Sequence, residues 1–390
     1  MNILFYRYGS ICEPDIIQIF NNNHLNVIEE TIEITNKNVT SSQRVELVNQ
    51  AILTHHPLFV FSINFFPSIA EICHIHKTFY LCWTVDSPIP ELFSKSIQHD
   101  TNRIFMFDKA QYDLFAPYNP TYIYHLPLAS AVDRFDNVIN TITSTERSKY
   151  AHDISFIGSL YNEKNPLSTL TLPPYIKGYI NGIVESSLKI YGYNFIEELM
   201  NSELINALKS AGAPFYTLAN AITDSDYYIA AHHYIGMQVA VTERIRTLNE
   251  LAKHFKVDLY TRSDTSLLQD VNIHGGVKTL TEMPKVFRLS KINLNMTIKP
   301  IQTGLPLRIF DIMGCGGFLM TNYQTELTDH FIIGTDLEAY NSMEELLDKC
   351  SYYLTHEDIR KQIALNGYEK VKKYHTYQNR ISKILQLILQ

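Results

Sequence analysis

Residues Lys291 to Leu327 read KINLNMTIKPIQTGLPLRIFDIMGCGGFLMTNYQTEL. Lys291 to Asn295 alternates, with Ile292 and Leu294 apolar, which predicts a short strand. Thr297 to Pro306 is a polar loop that pivots on Gly304. Leu307, Ile309, Phe310, Ile312 and Met313 then recur at helical spacing, and Gly314, Gly316 and Gly317 stop that helix. Phe318 to Thr321 is apolar enough for a second buried strand. Strand, glycine-bearing loop, helix, glycine turn and strand make one αβ unit. Loop amides at a helix N-terminus hold anions, because free N–H groups and the helix dipole both favour negative charge. Arg308 falls in the first helical turn and Asp311 one turn further on. A cation beside the amides and a carboxylate beyond them suit a diphosphate and a ribose. The plainer alternative is an αβ unit whose glycines only make room for packing.

Outward from this block, the first half alternates strands and helices. Ile3 to Tyr8, Asn26 to Ile34, Leu58 to Ile63, Phe79 to Thr84, Arg103 to Phe107 and Tyr122 to His125 read as strands. Pro14 to Asn22, Ser41 to Leu53 and Ser68 to His74 read as helices, the second capped by Ser41 or Ser42. Such alternation predicts a parallel sheet with helices on both faces, and ligands sit off the carboxyl ends of its strands. Asp86, Ser87 and His125 lie at predicted strand ends. Asp86 is the candidate base or acceptor-hydroxyl contact, with a helix N-cap as its structural alternative. His125 is the second candidate base, since imidazole titrates near neutrality; a buried, hydrogen-bonded histidine is the other reading.

Asn137 to Lys149 is polar, lacks a period and reads as an interdomain linker. A second αβ set opens with Ile154 to Ile157. Ile176 to Ile190, Ile196 to Lys209, Phe215 to Ile222 and Ala230 to Phe255 carry helical spacing, so a helical insertion is expected over about 162–255. Alternation resumes at Val257 to Tyr260, with a helix through Met283 to Leu289. Met343 to Leu354, His356 to Tyr374 and Arg380 to Leu389 close the chain as helices.

A chain of 390 residues suggests two domains, with boundaries near 1–140 and 150–374. With 45% hydrophobic and 19% charged residues the composition is globular. A net charge of -7 argues against a nucleic-acid partner. Five scattered cysteines without a CxxC pair fit reduced thiols and a cytoplasmic setting. Met1-Asn2 runs directly into a strand, so no signal peptide is expected, and no run reaches the roughly 20 apolar residues of a membrane span. Peripheral membrane contact stays open.

The block from Thr303 to Phe318 resembles the donor-binding half of GT-B glycosyltransferases, and specifically the bacterial spore-maturation CgeB-like group. Gly304-Leu305-Pro306 matches the family's GLP-type loop, and Asp311 takes the second acidic position of its EX7E pattern. The first Glu position falls on Thr303, so sugar contacts and stereochemistry do not carry over. Phe156-Ile157-Gly158-Ser159-Leu160-Tyr161-Asn162, Leu259-Tyr260-Thr261 and Trp83-Thr84-Val85-Asp86-Ser87-Pro88 extend the resemblance over nearly the whole chain. It implies an α/β fold of two Rossmann-like domains facing across a cleft, acceptor domain first, with residues 375–390 returning to the first domain.

The resemblance also implies a nucleotide-sugar transferase, protein or surface-glycan acceptor, with a UDP-sugar as co-substrate and no other cofactor. Gly158, Ser159, Tyr161 and Asn162 would meet phosphate or sugar. His274, Gly275, Val277 and Lys278 would lie near the base, and Asp311 on the ribose. Thr303, Gly304, Leu305 and Arg308 would hold the diphosphate, with Arg262 and Asn295 as further donor contacts. Arg244, inside TERIRTLNEL, reads rather as a surface ion pair.

Fixed donors at the leaving group would replace a metal. Asp224-Ser225-Asp226 resembles a DxD metal motif but sits between helical stretches, where capping is the better reading. His55-His56, His74/His76 and His232-His233 lack a third ligand at a usual spacing, so no metal is expected. Trp83 could stack on a sugar, though core packing is favoured. A nucleotide-sugar epimerase of the same architecture and a non-catalytic nucleotide-sugar-binding protein are the alternatives.

Overall fold

The computed structural model describes residues 1–216, 218 and 220–388. They fall into two compact units. Unit 1 holds Met1–Leu128, the described residues among 217–225 and the C-terminal helix Tyr377–Ile388. Unit 2 holds Ala129–Tyr216 and Asp226–Thr376.

Unit 1 is a six-stranded parallel sheet of β1 (Asn2–Tyr6), β2 (Asn26–Glu30), β3 (Phe59–Ile63), β4 (Phe79–Trp83), β5 (Asn102–Met106) and β6 (Ile123–His125). The order is β2-β1-β3-β4-β5-β6. The central strands bury almost every residue, as a parallel sheet covered on both faces requires. Phe5, Phe20 and Phe61 pack with ring centroids 5.0 to 6.3 Å apart. Burying each such side chain contributes about 1.5–3 kcal/mol. β2 is shorter than the apolar run suggests: Glu30 Oε1 accepts from Ile32 N at 3.1 Å, and Ile32–Thr35 turns into one short helix. The Ser41–His55 helix is capped by Thr40 rather than by Ser41 or Ser42, in a reciprocal box with Gln43. The Tyr377–Ile388 helix packs on the Glu13–Asn22 helix and buries Ile381 and Ile384. Trp83 is core: its Nε1 donates to Leu126 O at 3.1 Å and its ring meets Tyr377 edge-on.

Unit 2 has β7 (Ile154–Ile157), β8 (Val257–Tyr260), β9 (Asn272–Ile273), β10 (Ile292–Asn295), β11 (Leu319–Asn322) and β12 (Glu338–Tyr340). They form a parallel sheet in the order β12-β11-β10-β7-β8-β9. The insertion helices Pro174–Ser187, Ser202–Ser210 and Gly236–Ala252 close over a core of their own, with Ile176, Ile183, Leu204, Leu208 and Tyr234 at its centre. A π-helical turn, Ile229–Ile235, leads into the last of these. Gly236 sits at that junction because a Cβ there would lie 3.1 Å from the Pro300 ring and 3.2 Å from Ala231 O.

Two expected segments fold otherwise. Asn137 to Lys149 is not an open linker. Val132–Ile139 and Ser144–Tyr150 are helices packed on the Met283–Leu289 helix, the second started by a Thr143/Glu146 capping box. Lys285 Nζ lies 2.6 Å from Glu146, so the polar residues there face each other rather than a flexible tether. The boundary between the units therefore falls at Leu128. Phe215 to Ile222 is not helical in its described residues; 217 and 219 lie outside them. Instead Ala221 bridges Ser94 antiparallel, with Ile222 N donating to Phe93 O at 2.8 Å. Backbone pairing has overridden the helical spacing. No helix among the described residues is long and apolar enough to cross a membrane.

Candidate functional site

In both sheets the strand order reverses once, between β1 and β3 in unit 1 and between β7 and β10 in unit 2. Ligands of open parallel sheets bind outside the carboxyl ends at such a switch point. In unit 1 an internal carboxylate already occupies that place. Glu13, fully buried, accepts from the amides of Tyr8, Gly9 and Ser10 at 3.0, 3.1 and 3.0 Å and pairs with Arg7 Nε at 3.0 Å. An anionic ligand would have to displace it.

Unit 2 presents the opposite electrostatics. Arg244 projects from the Gly236–Ala252 helix to the carboxyl ends of β7 and β10. Its Nη1 donates to Ser159 O and its Nη2 to Met296 O at 2.6 Å, so it ties together the two strands that flank the switch point. The guanidinium lies 4.6 Å from the Tyr161 ring centroid and 5.3 Å from that of Phe156. The residue is only 8% exposed, and no carboxylate among the described residues comes within ion-pair distance of it. The surface ion pair expected for Arg244 is thus a buried cation at the site. Burial pushes its pKa down, and the nearby charge of Arg308 does the same.

Arg308 enters from the first turn of the Leu307–Gly314 helix. It sits 3.7 Å from Asp311 and 5.2 Å from the Phe287 ring centroid. Burial lowers its pKa as well, against the favourable charge of Asp311. A buried and a half-buried guanidinium that repel each other, opposed by the charges of Glu243 and Asp311, favour an incoming polyanion. Gly158 permits close approach beside them: a Cβ there would stand 3.2 Å from the Phe156 ring. Tyr161 holds φ at 65°, a left-handed conformation costing about 1–2 kcal/mol for a non-glycine residue. That turn sets its ring over Arg244.

The other expected contacts divide. Gly304 and Leu305 are buried in the loop that leads into the Leu307–Gly314 helix. Thr303 Oγ1 donates to Glu326 Oε1 at 2.8 Å, and Glu326 N donates to Thr303 O at 3.3 Å. Glu326, 3% exposed, brings a carboxylate to the loop position where the EX7E pattern lacks one. Ser159 and Asn162 are engaged in joining loops: Ser159 Oγ meets Ser263 Oγ at 3.1 Å, and Asn162 Nδ2 donates to Asp264 O at 2.7 Å. Arg262 packs over Gly276, where a Cβ would fall 2.5 Å from its Nε. Gly275 takes φ 71°, and the exposed His274 to Lys278 loop runs from β9 toward the Met283–Leu289 helix. Asn295 is buried, and its Nδ2 donates to Thr297 Oγ1 and Thr321 Oγ1 at 3.0 and 2.9 Å.

Asp86 and His125 belong to unit 1. Asp86 is exposed and accepts from Asn64 Nδ2 at 2.6 Å. His125 Nε2 lies 3.3 Å from Phe107 O. Asp226 pairs with Lys209 at the start of a short helix. Sequence spacing showed no metal set, yet the fold brings together His152, Asp258 and His274, from three separate stretches.

Residues 242–386 match a family model described as glycosyl transferase-like. No curated protein matches the chain in sequence. Among solved structures, a glycosyltransferase from Rickettsia africae is 11% identical with a TM-score of 0.55, covering 99% of this chain and 97% of its own. Anabaena HepE, solved with UDP and glucose, is 11% identical at a TM-score of 0.53, with 99% of each chain covered. The sucrose-phosphate synthase of Thermosynechococcus elongatus is 9% identical at 0.57, covering 99% and 98%. At these identities the likeness is one of fold, the two-sheet GT-B fold.

Proposed function

We propose that the chain is a glycosyltransferase that takes a sugar from a nucleoside-diphosphate donor, UDP-linked, bound at the β7/β10 switch point. The observation that carries this is buried Arg244 at the carboxyl ends of β7 and β10 beside Gly158, with half-buried Arg308 at the start of the Leu307–Gly314 helix. The glycosyl transferase-like match over 242–386 supports it, since that segment contains both arginines and Asp311. The UDP bound by HepE supports the choice of nucleotide.

In the reaction the bond between the anomeric carbon and the phosphate oxygen breaks, and negative charge grows on the leaving diphosphate. Two preorganised guanidiniums and the amides at the start of the Leu307–Gly314 helix stabilise that charge. No divalent ion is required for this step. Asp311 accepts from the ribose. The acceptor, a protein or surface glycan in the manner of the CgeB-like group, gives up a hydroxyl proton as its oxygen bonds to the sugar. Products are the glycosylated acceptor, the nucleoside diphosphate and a proton.

Thermal shift against UDP-, GDP-, dTDP- and CMP-linked sugars tests the donor, because ligand at 100 times its Kd stabilises by about 2.7 kcal/mol. UDP-sugars should raise the melting temperature, and UDP should appear with time. A chain that no nucleotide stabilises would overturn the reading.

A further inference from the structure

His152, Asp258 and His274 meet on the sheet of unit 2 at its β7-β8-β9 end. His152 precedes β7, Asp258 is the second residue of β8, and His274 follows β9. Parallel pairing aligns β8 with both neighbours, Asp258 opposite Ser155 and opposite Asn272. That register brings residues more than a hundred positions apart to one point. Asp258 Oδ1 lies 2.6 Å from His274 Nε2, and Asp258 Oδ2 lies 3.2 Å from His152 Nδ1. The three ligand atoms all fall within 4.8 Å of one another.

Three features make this more than a chance meeting of polar groups. The side chains of His152 and Asp258 are 7% and 10% exposed, so the cluster is built into the interior, while His274, at 35%, opens one side to solvent. The orientation of each ring is fixed from behind. Tyr260 OH bonds the other nitrogen of His152 at 2.7 Å, which turns Nδ1 toward Asp258. The Tyr260 ring stacks on His274 at 4.7 Å between centroids. Metal-bound histidines are held in this way by a partner on the second nitrogen. Finally, two nitrogens and a carboxylate oxygen about 2.0–2.2 Å from a tetrahedral ion would stand about 3.4 Å apart, so the 2.6 and 3.2 Å contacts would open by less than about 1 Å to admit one.

We propose that His152, Asp258 and His274 form a site for a divalent transition-metal ion of the zinc class, with water on the solvent side. The ion fastens the first residue of the His274–Lys278 loop to β8 and to the lead-in of β7. Its role is to hold that loop in place; the ion is not the one that neutralises a diphosphate, and the site stands independently of the sugar-transfer reading.

The test uses the full chain, purified without a histidine tag, stripped with chelator and titrated with zinc chloride. One equivalent should bind, with a rise in melting temperature. Cobalt should give the visible bands of a four-coordinate ion. Asp258→Asn and His152→Ala should abolish both signals. Because those positions are buried, His274→Ala, at the exposed corner, serves as the variant that should fold normally, and it too should lose the cobalt spectrum. If the wild type binds no equivalent of zinc, or if folded His274→Ala binds zinc and cobalt as the wild type does, the proposal fails and the cluster is a hydrogen-bonded triad. Binding of UDP, measured separately on the same protein, decides the sugar-transfer reading whatever the metal result.

Discussion

Replacing Arg244 by alanine removes the cation that joins Ser159 O to Met296 O. Two effects must be separated. The lost hydrogen bonds leave two carbonyls near the switch point without their donor, at a stability cost of about 1–3 kcal/mol each if they stay dry. The lost charge acts on ligand affinity. A hydrogen bond to a charged group is worth about 1.5–3 kcal/mol. A unit charge at about 4 Å adds up to roughly 4 kcal/mol at an effective dielectric of 20. Part of this is offset, because removing Arg244 also relieves its repulsion of Arg308. A net loss of about 2.7 kcal/mol is expected, a hundredfold in Kd.

Calorimetry with UDP and with uridine provides the assay. Arg244→Ala should weaken UDP about a hundredfold and uridine hardly at all, since only UDP carries the diphosphate. Circular dichroism and melting first confirm the fold. If folded Arg244→Ala binds UDP within twofold of the wild type, the guanidinium is only a strand clamp and the anion site lies elsewhere. If UDP and uridine weaken alike, the variant has deformed the loop rather than lost a charge.

Asp311→Ala should weaken UDP by about 1.5–3 kcal/mol and erase any preference over 2′-deoxy-UDP; a preserved preference would remove Asp311 from the ribose. Turnover at saturating donor should persist in excess EDTA, whereas complete loss restored by Mg²⁺ or Mn²⁺ would count against leaving-group stabilisation by Arg244 and Arg308. Burial holds the Glu243 carboxyl above the ordinary carboxylate range near 4.5, so the folded chain retains a proton that the unfolded chain releases. Stability from this group therefore falls as pH rises above that value, and Glu243→Gln should melt higher than the wild type at pH 8 with a gap that closes toward pH 4. An equal gap at both pH values would show that the effect is not ionisation.

The alternation of apolar strands and amphipathic helices carried the first sheet and the four inner strands of the second, because side-chain period and burial are local properties; the short edge strands β9 and β12 carry no such period. The Leu307–Gly314 helix, with Arg308 and Asp311 on it, was legible for the same reason. Arg244 was half legible: it shares its helical face with Val241, Leu248 and Leu251, all buried, whereas Arg246 on another face pairs with exposed Glu185. A charge on an apolar stripe was the signal, and reading the segment as a surface helix lost it. Nothing local could reveal Glu326 beside Thr303, or Glu13 filling the loop amides of unit 1, because those contacts depend on how strands and loops are placed in three dimensions. That the amide of Asn295, a further donor contact by resemblance, bonds Thr321 across the β10–β11 pair was likewise not legible locally. The sequence by itself determined most of the strands and helices, through periodicity, but not where backbone pairing or polar packing overrode it, as at Phe215 to Ile222 and Asn137 to Lys149. The tertiary structure decided which groups come together, since that depends on strand order and register: β7 beside β10 sets buried Arg244 between Ser159 O and Met296 O, and β7, β8 and β9 in register bring His152, Asp258 and His274 to one point.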